Sequence, residues 1–343
     1  MSDSTVSAAG TERPEVLLSV ENLKVHFPVT RGLFKRTVGH VQAVDGVSFT
    51  VRRGETLGIV GESGSGKTTV GNGILRATPY AEGKILFDGI DYDELNKTEL
   101  RRLRRRIQLI MQDPYSSLDP RMSVRDSIAE GILIHRSMPR TEALERAESL
   151  LETVGIRRSF AVRYPHEFSG GQRQRICIAR ALAMEPDFIV CDEVVSALDV
   201  SIQAQVVTLL MELQKTLGLT YVFIGHDLSV VRYISNDVAV MYLGRFMELT
   251  ESETLYENPL HPYTKALISA APIPNPRVDR ARERLLLEGE IPSPMNPPEG
   301  CRFCTRCPYA NDYCRKTAPD FREVLPGHFV ACHRVAEGGA WIE

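Results

Sequence analysis

Short apolar runs alternate with stretches of helical periodicity along most of the chain. Runs that are apolar throughout, or that alternate apolar with polar residues, predict strands at Val16–Phe27, Val41–Val51, Thr56–Val60, Lys84–Phe87, Ile107–Met111, Phe188–Cys191, Thr220–Ile224 and Val238–Met241. Helical periodicity predicts helices beginning at Gly66 and over Lys97–Arg105, Gln172–Met184, Ser201–Leu217 and Thr264–Ala271, with a longer helical region from Ser123 to about Val162. Because alternating strands and helices build parallel sheets covered on both faces, we expect an α/β fold with a mostly parallel sheet.

Turn-forming residues interrupt this alternation at several points. The basic, glycine-containing segment Val29–His40 is typical of a loop, and Asp113–Ser117 of a turn. Thr141 is a candidate N-cap within the helical region, and Gly218 closes the helix that ends at Leu217. These signals place a helical subdomain at about residues 113–168.

The composition changes near Glu257, which predicts a boundary there. A proline-rich stretch, Pro272–Pro276, is followed by the charged segment Arg277–Arg284 and by a second proline-rich stretch, Pro292–Pro298. We therefore expect a disordered leader over residues 1–15, a main domain over 16–256 and, over 257–343, a C-terminal extension that forms an appendage with its own organisation.

The net charge and the hydropathy argue against two classes of function. The 343 residues include 41 Lys+Arg and 44 Asp+Glu, a formal net charge of −3 that gives no reason to expect a nucleic-acid partner. No uninterrupted apolar run is long enough to cross a bilayer, and Met1–Pro14 lacks the basic start and apolar core of a signal peptide. The sequence therefore predicts a protein that stays in the cytoplasm.

A phosphate-binding motif follows the predicted strand Thr56–Val60. Its residues are Gly61, Glu62, Ser63, Gly64, Ser65, Gly66, Lys67, Thr68 and the adjoining Thr69. Glycines let backbone N–H groups surround phosphate oxygens, and the start of the next helix adds partial positive charge. Lys67 can contact the β- and γ-phosphates of ATP, and the Thr68 hydroxyl can ligate Mg²⁺.

Polar residues follow three other predicted strands, at the sheet edge where ligands bind in such folds. Asp192 ends the strand Phe188–Cys191 and is well placed as an outer Mg²⁺ ligand. Glu193 would point the other way on an extended chain and could polarise a water for attack on the γ-phosphate. Gln112 and His226 follow the other two strands, where a lone polar residue is more often structural.

A second anion site is predicted where the helix Gln172–Met184 begins. Ser169, Gly170, Gly171 and Gln172 offer backbone amides and a hydroxyl without bulky side chains. Either the chain binds two nucleotides, or this site serves a nucleotide held by another subunit.

In this order, the motifs resemble those of the ATP-binding subunit of an ABC transporter. They are Gly61–Thr68 (Walker A), Gln112 (Q-loop), Phe168–Gln172 (signature), Phe188–Glu193 (Walker B), Ser196–Asp199 (D-loop) and His226 (switch), within about Leu17 to Leu255. The resemblance implies a P-loop NTPase fold of ABC type, with an antiparallel β subdomain and a helical subdomain. It also implies that two subunits pack head to tail, each ATP lying between the Walker A of one chain and the signature of the other.

The same resemblance assigns roles to individual residues. Glu193 is the expected catalytic base, His226 contacts the γ-phosphate, Gln112 links Mg²⁺ to the membrane subunit and Phe27 stacks on adenine. The family usually has proline after the Walker B glutamate, whereas this chain has Val194. The change adds an N–H beside the base but removes no catalytic group.

The two ends of the chain are similar to the oligopeptide/dipeptide importer branch of that family. The tail carries this likeness in Asn258–Leu267, Glu288–Pro298, Gly300–Phe303 and Arg306–Pro308, and Leu23–Pro28 with Ala43–Phe49 is similar to the F-type subunit. The implied partners are a second, non-identical ABC ATPase subunit, two transmembrane permease subunits and an extracytoplasmic peptide-binding protein, with the chain peripheral on the cytoplasmic face of the inner membrane.

Other functions stay open at this point. Members of the same branch import nickel, glutathione or oligosaccharides. A soluble ABC ATPase acting on nucleic acid or ribosomes usually has two cassettes or long coiled coils, which this chain lacks, and the intact motifs argue against a metal-sensing subunit with an idle ATPase.

Five of the seven cysteines lie close together in the tail, while Cys177 and Cys191 fall within apolar patterns. Such crowding in a cytosolic protein favours metal ligation over disulfides. Four thiolates could hold a [4Fe–4S] cluster or a zinc ion. The resemblance associates a [4Fe–4S] cluster with Cys301, Cys307, Cys314 and Cys332, and Cys304 is a fifth thiol that makes the ligand set ambiguous.

Overall fold

The computed structural model describes residues 14–32, 36–135, 138–271, 285 and 287–342. The predicted leader, apart from residues 14 and 15, lies outside the described residues, and so do the stretches Pro272–Pro276 and Arg277–Arg284. The described residues form two β-sheets with helices packed around them.

The described elements are named here in chain order. The strands are β1 (Val16–Arg31), β2 (Arg36–Arg52), β3 (Thr56–Val60), β4 (Glu82–Phe87), β5 (Ile90–Asp91), β6 (Ile107–Ile110), β7 (Phe188–Asp192), β8 (Thr220–Gly225), β9 (Asp237–Tyr242), β10 (Arg245–Glu251), β11 (Arg322–Leu325) and β12 (His328–Val330). The helices are α1 (Lys67–Ile74), α2 (Lys97–Arg106), α3 (Pro114–Ser117), α4 (Val124–His135), α5 (Arg140–Thr153), α6 (Gly170–Leu182), α7 (Val200–Leu217), α8 (Leu228–Ile234), α9 (Ser252–Glu257), α10 (Pro262–Ala270) and α11 (Asp312–Lys316).

The smaller sheet is antiparallel, with strand order β2-β1-β4-β5. The prediction of a loop over Val29–His40 is wrong, because β1 extends to Arg31 and β2 begins at Arg36, with Val29 paired to Gly39 and Thr30 to Thr37. Polar side chains on a two-stranded ribbon are compatible with strand pairing when both faces meet solvent. The antiparallel subdomain expected from the resemblance is confirmed.

The larger sheet has the order β11-β12-β10-β9-β3-β8-β7-β6. All neighbours from β9 to β6 are parallel, and the strands on the other side of β9 are antiparallel. β3 and β8 are buried along their whole length, as their continuous apolar runs predict. The mostly parallel core of the sheet is therefore confirmed, and its parallel strands end at the edge that carries the predicted site.

Helices α3 to α5, with short 3₁₀ turns after them, occupy the predicted helical region. The predicted turn at Asp113 is a one-turn helix, in which the Asp113 carboxylate accepts hydrogen bonds from the N–H groups of Tyr115 and Ser116. The prediction of Thr141 as N-cap is wrong, because α5 begins at Arg140 and Pro139 occupies the N-cap position. Proline supplies a backbone angle suited to a helix start without a side-chain cap.

The C-terminal extension is part of the main body rather than an appendage with its own organisation, so that expectation is wrong. Strand β12 pairs with β10, and Phe303 of the extension is fully buried in the same apolar cluster as Val60 and Ile110 of the main sheet. The buried Glu248 carboxylate of β10 accepts hydrogen bonds from the backbone N–H groups of Leu260 and His261. The pairing of β12 with β10 also covers backbone N–H and C=O groups that β10 would otherwise expose at the edge of the sheet.

Candidate functional site

The phosphate loop connects the buried strand β3 to helix α1 at the carboxyl edge of the main sheet. Gly66 has φ 107°, and a Cβ placed there would lie 2.1 Å from the carbonyl oxygen of Ala43. Lys67 is buried, and its Nζ donates hydrogen bonds to the carbonyls of Gly61 at 2.8 Å and Glu62 at 2.9 Å. Only glycine fits at position 66, and the loop holds the lysine ammonium near its own backbone.

Burial lowers the pKa of Lys67, while the carboxylates of Glu193, Asp192 and Glu62 oppose that shift. The ammonium therefore lies among acidic groups that balance its charge. Phosphate oxygens can replace the two loop carbonyls as its hydrogen-bond acceptors, because ammonium pairs more strongly with charged acceptors than with neutral ones.

Two oxygen ligands suited to Mg²⁺ meet beside the loop. The Thr68 Oγ1 donates a hydrogen bond to Asp192 Oδ1 at 3.0 Å, joining the first turn of α1 to the end of β7. Burial raises the pKa of Asp192 and Glu193 raises it further, whereas the Thr68 hydrogen bond and Lys67 act in the other direction. A hydroxyl and a carboxylate at this separation fit the oxygen preference of Mg²⁺.

Glu193 does not continue the extended strand. The predicted alternation of side chains along a strand therefore does not decide where its side chain points relative to that of Asp192. Its φ is 47°, an uncommon angle for a residue with a side chain, and its backbone N–H donates to the Ile224 carbonyl of β8 at 2.9 Å. Such a conformation costs on the order of 1–3 kcal/mol and persists where the surroundings enforce it, often at functional sites. Val194, which follows, is 2% exposed and packs in the core.

The structure brings Gln112 and His226 to the Glu193 carboxylate. The Gln112 Nε2 donates to Glu193 Oε2 at 2.8 Å, and the His226 Nδ1 lies 3.7 Å from the same oxygen. Residues from the ends of β6, β7 and β8 therefore converge on one carboxylate, as their positions after neighbouring parallel strands predict.

The Ser169–Gln172 segment opens helix α6 and caps itself. The Ser169 hydroxyl accepts from the Gln172 N–H at 3.4 Å, and the Gln172 side chain accepts from the Ser169 N–H at 3.0 Å. Gly171 is tightly packed, because a Cβ there would lie 2.4 Å from Ile202 Cγ2 of α7. Within the part of the chain that the structure describes, no hydrogen bond or ion pair joins this segment to the phosphate loop.

Phe27, the candidate adenine platform, lies on β1 opposite Val41 of β2 and is 42% exposed. An exposed aromatic ring on the hairpin is available for stacking. Its role stays a prediction.

Two residues that contact the phosphate loop were missed by the sequence reasoning. The Tyr263 hydroxyl accepts a hydrogen bond from the Glu62 N–H at 3.0 Å, and the Arg306 guanidinium forms an ion pair with the Glu62 carboxylate at 2.6 Å. They lie 201 and 244 residues from Glu62 in the chain, so no local pattern could have revealed the contacts.

The tail cysteines gather around one small cavity. Its lining includes Cys301, Cys304, Cys307, Cys314 and Cys332. None of the seven cysteines, all of them described, forms a disulfide. Among the described residues, no group of three or more His, Cys, Asp or Glu side chains lies in an arrangement that could hold a metal ion. The five thiols share one cavity.

Comparisons with known proteins agree with this geometry. The family model for ABC transporters matches residues 44–196, and the model for the oligopeptide/dipeptide transporter C-terminal region matches residues 247–314. The oligopeptide transport ATP-binding protein AppF of Bacillus subtilis (strain 168) is 55% identical over 320 residues, covering 93% of this chain and 97% of that protein.

Two solved structures have the same cassette fold. The dimeric, post-hydrolysis structure of the ATP-binding cassette MJ0796, bound to ADP and Pi, has a TM-score of 0.61 and 28% identity, covering 68% of this chain and 98% of that one. CbiO1 of Clostridium perfringens, part of the ABC transporter complex cbiONQ, has a TM-score of 0.61 and 28% identity over 71% of this chain and 91% of its own. The chain therefore belongs to the ATP-hydrolysing, ATP-binding proteins of ABC transporters, in the branch that carries the oligopeptide/dipeptide transporter C-terminal region.

Proposed function

We propose that this chain couples ATP hydrolysis to the uptake of di- and oligopeptides as one ATPase subunit of an importer. The observation that carries the proposal is the convergence of Gln112 and His226 on Glu193, beside a phosphate loop and a Thr68–Asp192 oxygen pair. This arrangement supports in-line attack of water on the γ-phosphate, with an ionisable group available to take the proton.

Each side chain has a distinct part in that reaction. Lys67 binds the β- and γ-phosphates, and Thr68 and Asp192 would hold Mg²⁺, with Gln112 as a further ligand. Bound Mg²⁺ supplies positive charge that neutralises the phosphate oxygens. Glu193 exchanges its hydrogen bond to Gln112 for one to the attacking water and accepts its proton, while His226 contacts the γ-phosphate.

The base assignment is tested with Glu193→Gln in the assembled complex. Removing the base should lower ATP turnover by about 100-fold or more, since general-base catalysis is worth roughly 10² to 10⁴. The Kd for a fluorescent ATP analogue should stay within about three-fold, because the amide keeps the shape of the side chain. Glu212→Gln, on the exposed surface of α7, is the matched control and should change neither quantity. Retained turnover in Glu193→Gln would remove Glu193 from the base role.

The signature segment serves ATP held by a second, non-identical ATPase subunit in this proposal. Support comes from Ser169 and Gln172, which are exposed and satisfy each other, leaving first-turn N–H groups of α6 to face a partner. Ser169→Arg should leave ATP affinity of the isolated chain unchanged and abolish turnover at one site of the assembled pair. Loss of ATP binding in the isolated variant would contradict this role.

A groove between α2, β6, α4 and α6 is the proposed contact with a permease subunit. Its volume is about 940 Å³, and it extends from Arg101 and Arg104 to Met111, the neighbour of Gln112. Because Gln112 touches Glu193, movement of the groove would reach the catalytic carboxylate.

No helix among the described residues is long and apolar enough to span a membrane. We place the chain peripherally on the cytoplasmic face of the inner membrane, with two permease subunits and an extracytoplasmic peptide-binding protein.

Peptide cargo is proposed from the name of the AppF relative and from the matching C-terminal region. Nickel, glutathione and oligosaccharides are the alternative cargoes. Proteoliposomes that contain the complex and its binding protein should accumulate a labelled peptide only when ATP is present on the side of the membrane where this subunit lies. Competition with each alternative cargo identifies the substrate, and uptake of one of them without peptide uptake would contradict the proposal.

We also propose that the tail holds a [4Fe–4S] cluster, with Cys301, Cys307, Cys314 and Cys332 as ligands. Support comes from the shared cavity, which brings five thiols together, and four thiolates are the ligand set that such a cluster takes; zinc stays the alternative. The cluster would tie the tail together. Iron and sulfide should be found in anaerobically purified protein, and zinc alone would reject the cluster.

A further inference from the structure

The cysteine-rich turn of the extension, residues 301–307, lies directly against the phosphate loop. Arg306 Nη1 donates to Glu62 Oε2 at 2.6 Å and Nη2 donates to Glu62 Oε1 at 3.1 Å, forming a two-pronged pair. The Arg306 side chain is 8% exposed and that of Glu62 25%, so little water separates the charges. Bidentate, partly buried pairs of this kind hold their partners in one geometry.

The backbone of Glu62 is held by the extension as well. Its N–H donates to the hydroxyl of Tyr263, a fully buried residue of α10. The Tyr263 ring packs edge-on against Tyr242, and Phe303 of the cysteine-rich turn contacts both rings. The backbone N–H and the side-chain carboxylate of Glu62 are therefore both held by residues that follow the nucleotide-binding motifs in the chain.

The extension also contacts the strand on the other side of the loop. Arg302 Nη2 donates to Gln42 Oε1 at 2.6 Å, and the Gln42 N–H donates to the carbonyl of Pro294 at 3.0 Å. Gln42 lies between Val41, the register partner of Phe27, and Ala43, whose carbonyl faces Gly66. The extension thus contacts both the phosphate loop, through Glu62, and strand β2, through Gln42.

We propose that Arg306 is a positioning residue for ATP binding, acting through Glu62 of the phosphate loop. It fixes the loop in the conformation that receives the phosphates and neutralises a carboxylate that would otherwise repel them. This inference rests on the proposed nucleotide site at the same loop. Because Cys304 and Cys307 flank Arg306 in sequence, the conformation of the cysteine-rich turn is transmitted to the loop.

The Kd of the purified full chain for a fluorescent ATP analogue tests the proposal. Arg306→Gln should raise it about ten-fold, the value of one charge-assisted contact. Arg315→Gln, which removes an exposed arginine from α11 of the same extension, is the control and should stay within two-fold. Arg306→Lys keeps the charge but loses the two-pronged geometry, and should raise Kd about three-fold; it decides the test if Arg306→Gln does not fold.

A double-mutant cycle separates action through Glu62 from a general loss of structure. In a Glu62→Gln background, Arg306→Gln should have no further effect on Kd beyond about two-fold, because its partner charge is already gone. Hydrogen exchange of residues 57–68 without nucleotide should rise in Arg306→Gln and not in Arg315→Gln. An unchanged Kd, or the same loss of affinity in both backgrounds, would overturn the proposal. An assembled wild-type complex that binds ATP without hydrolysing it would instead contradict the proposed function alone.

Discussion

Gly171 and Gly170 form a matched pair that separates the packing role of the signature glycines from their role in nucleotide contact. A Cβ at Gly171 would lie 2.4 Å from Ile202 Cγ2, whereas a Cβ at Gly170 would lie 3.5 Å from Leu198 Cδ2. Carbon atoms in favourable contact are about 3.5–4.0 Å apart. In Gly171→Ala, the new Cβ would therefore lie about 1.1 Å closer to Ile202 Cγ2 than a favourable contact allows (3.5 − 2.4), whereas in Gly170→Ala it would make an ordinary contact.

The shortfall at Gly171 is hard to relieve locally. Ile202 is β-branched, so its Cγ2 is fixed close to the α7 backbone, and the overlap must be relieved by moving one helix against the other. Overpacking of this kind costs about 1–3 kcal/mol, and alanine returns about 0.5–1 kcal/mol of helix propensity. We expect a net loss of about 1–2 kcal/mol for Gly171→Ala and a change below about 0.5 kcal/mol for Gly170→Ala.

Thermal unfolding of the two purified variants measures this difference. For a chain of this size, the loss should lower the Tm of Gly171→Ala by about 2–6 °C and leave that of Gly170→Ala within about 1 °C of wild type. ATP turnover of the assembled complex should fall in both variants, since each adds a side chain beside the proposed phosphate contact. Equal Tm values for the two variants would refute the packing argument, and full turnover in Gly170→Ala would refute the contact argument.

Three further outcomes are expected. Thr68→Ala removes the hydroxyl bonded to Asp192, so the Mg²⁺ concentration for half-maximal ATP turnover should rise about ten-fold in a Mg²⁺ titration, and an unchanged midpoint contradicts the ligand role. Burial lowers the pKa of His261 from 6.5 to about 4, so below pH 6.5 the unfolded chain binds a proton that the folded chain does not. Between pH 8 and pH 5 in urea titrations, the free energy of unfolding of wild type should therefore fall by about 2 kcal/mol more than that of His261→Asn. Parallel curves for the two proteins would contradict this expectation. Arg173→Met leaves the Pro165 carbonyl without its buried partner and removes the cation 3.9 Å from the Tyr115 ring, which should lower the free energy of unfolding by about 2 kcal/mol, with no Tm shift as the contrary result.

The parts of the fold that follow from local patterns were predictable. β3 occupies Thr56–Val60 as expected, because five consecutive apolar or small residues suit only a buried strand here. Helix α7 ends at Gly218, whose φ of 68° matches the left-handed cap that glycine favours. The convergence of Gln112, Glu193 and His226 followed from their places after neighbouring strands.

The rest depends on contacts between distant residues. Strands β10 to β12 were not predicted, because the two extension strands are short and their structure depends on pairing, β12 with β10 and β11 with β12. The positive φ of Glu193 has no signal in a residue type that rarely adopts it. The pair between Glu62 and Arg306 joins residues 244 positions apart, and neither residue is unusual in its local sequence.

The central claim is that hydrolysis at Glu193 of this chain drives peptide uptake. The most direct measurement is ATP-dependent accumulation of a labelled peptide in proteoliposomes that contain the full complex, with wild type and Glu193→Gln compared at equal ATP occupancy. The account predicts uptake by wild type and loss of uptake in the variant while ATP stays bound. Equal peptide uptake by both proteins would contradict it.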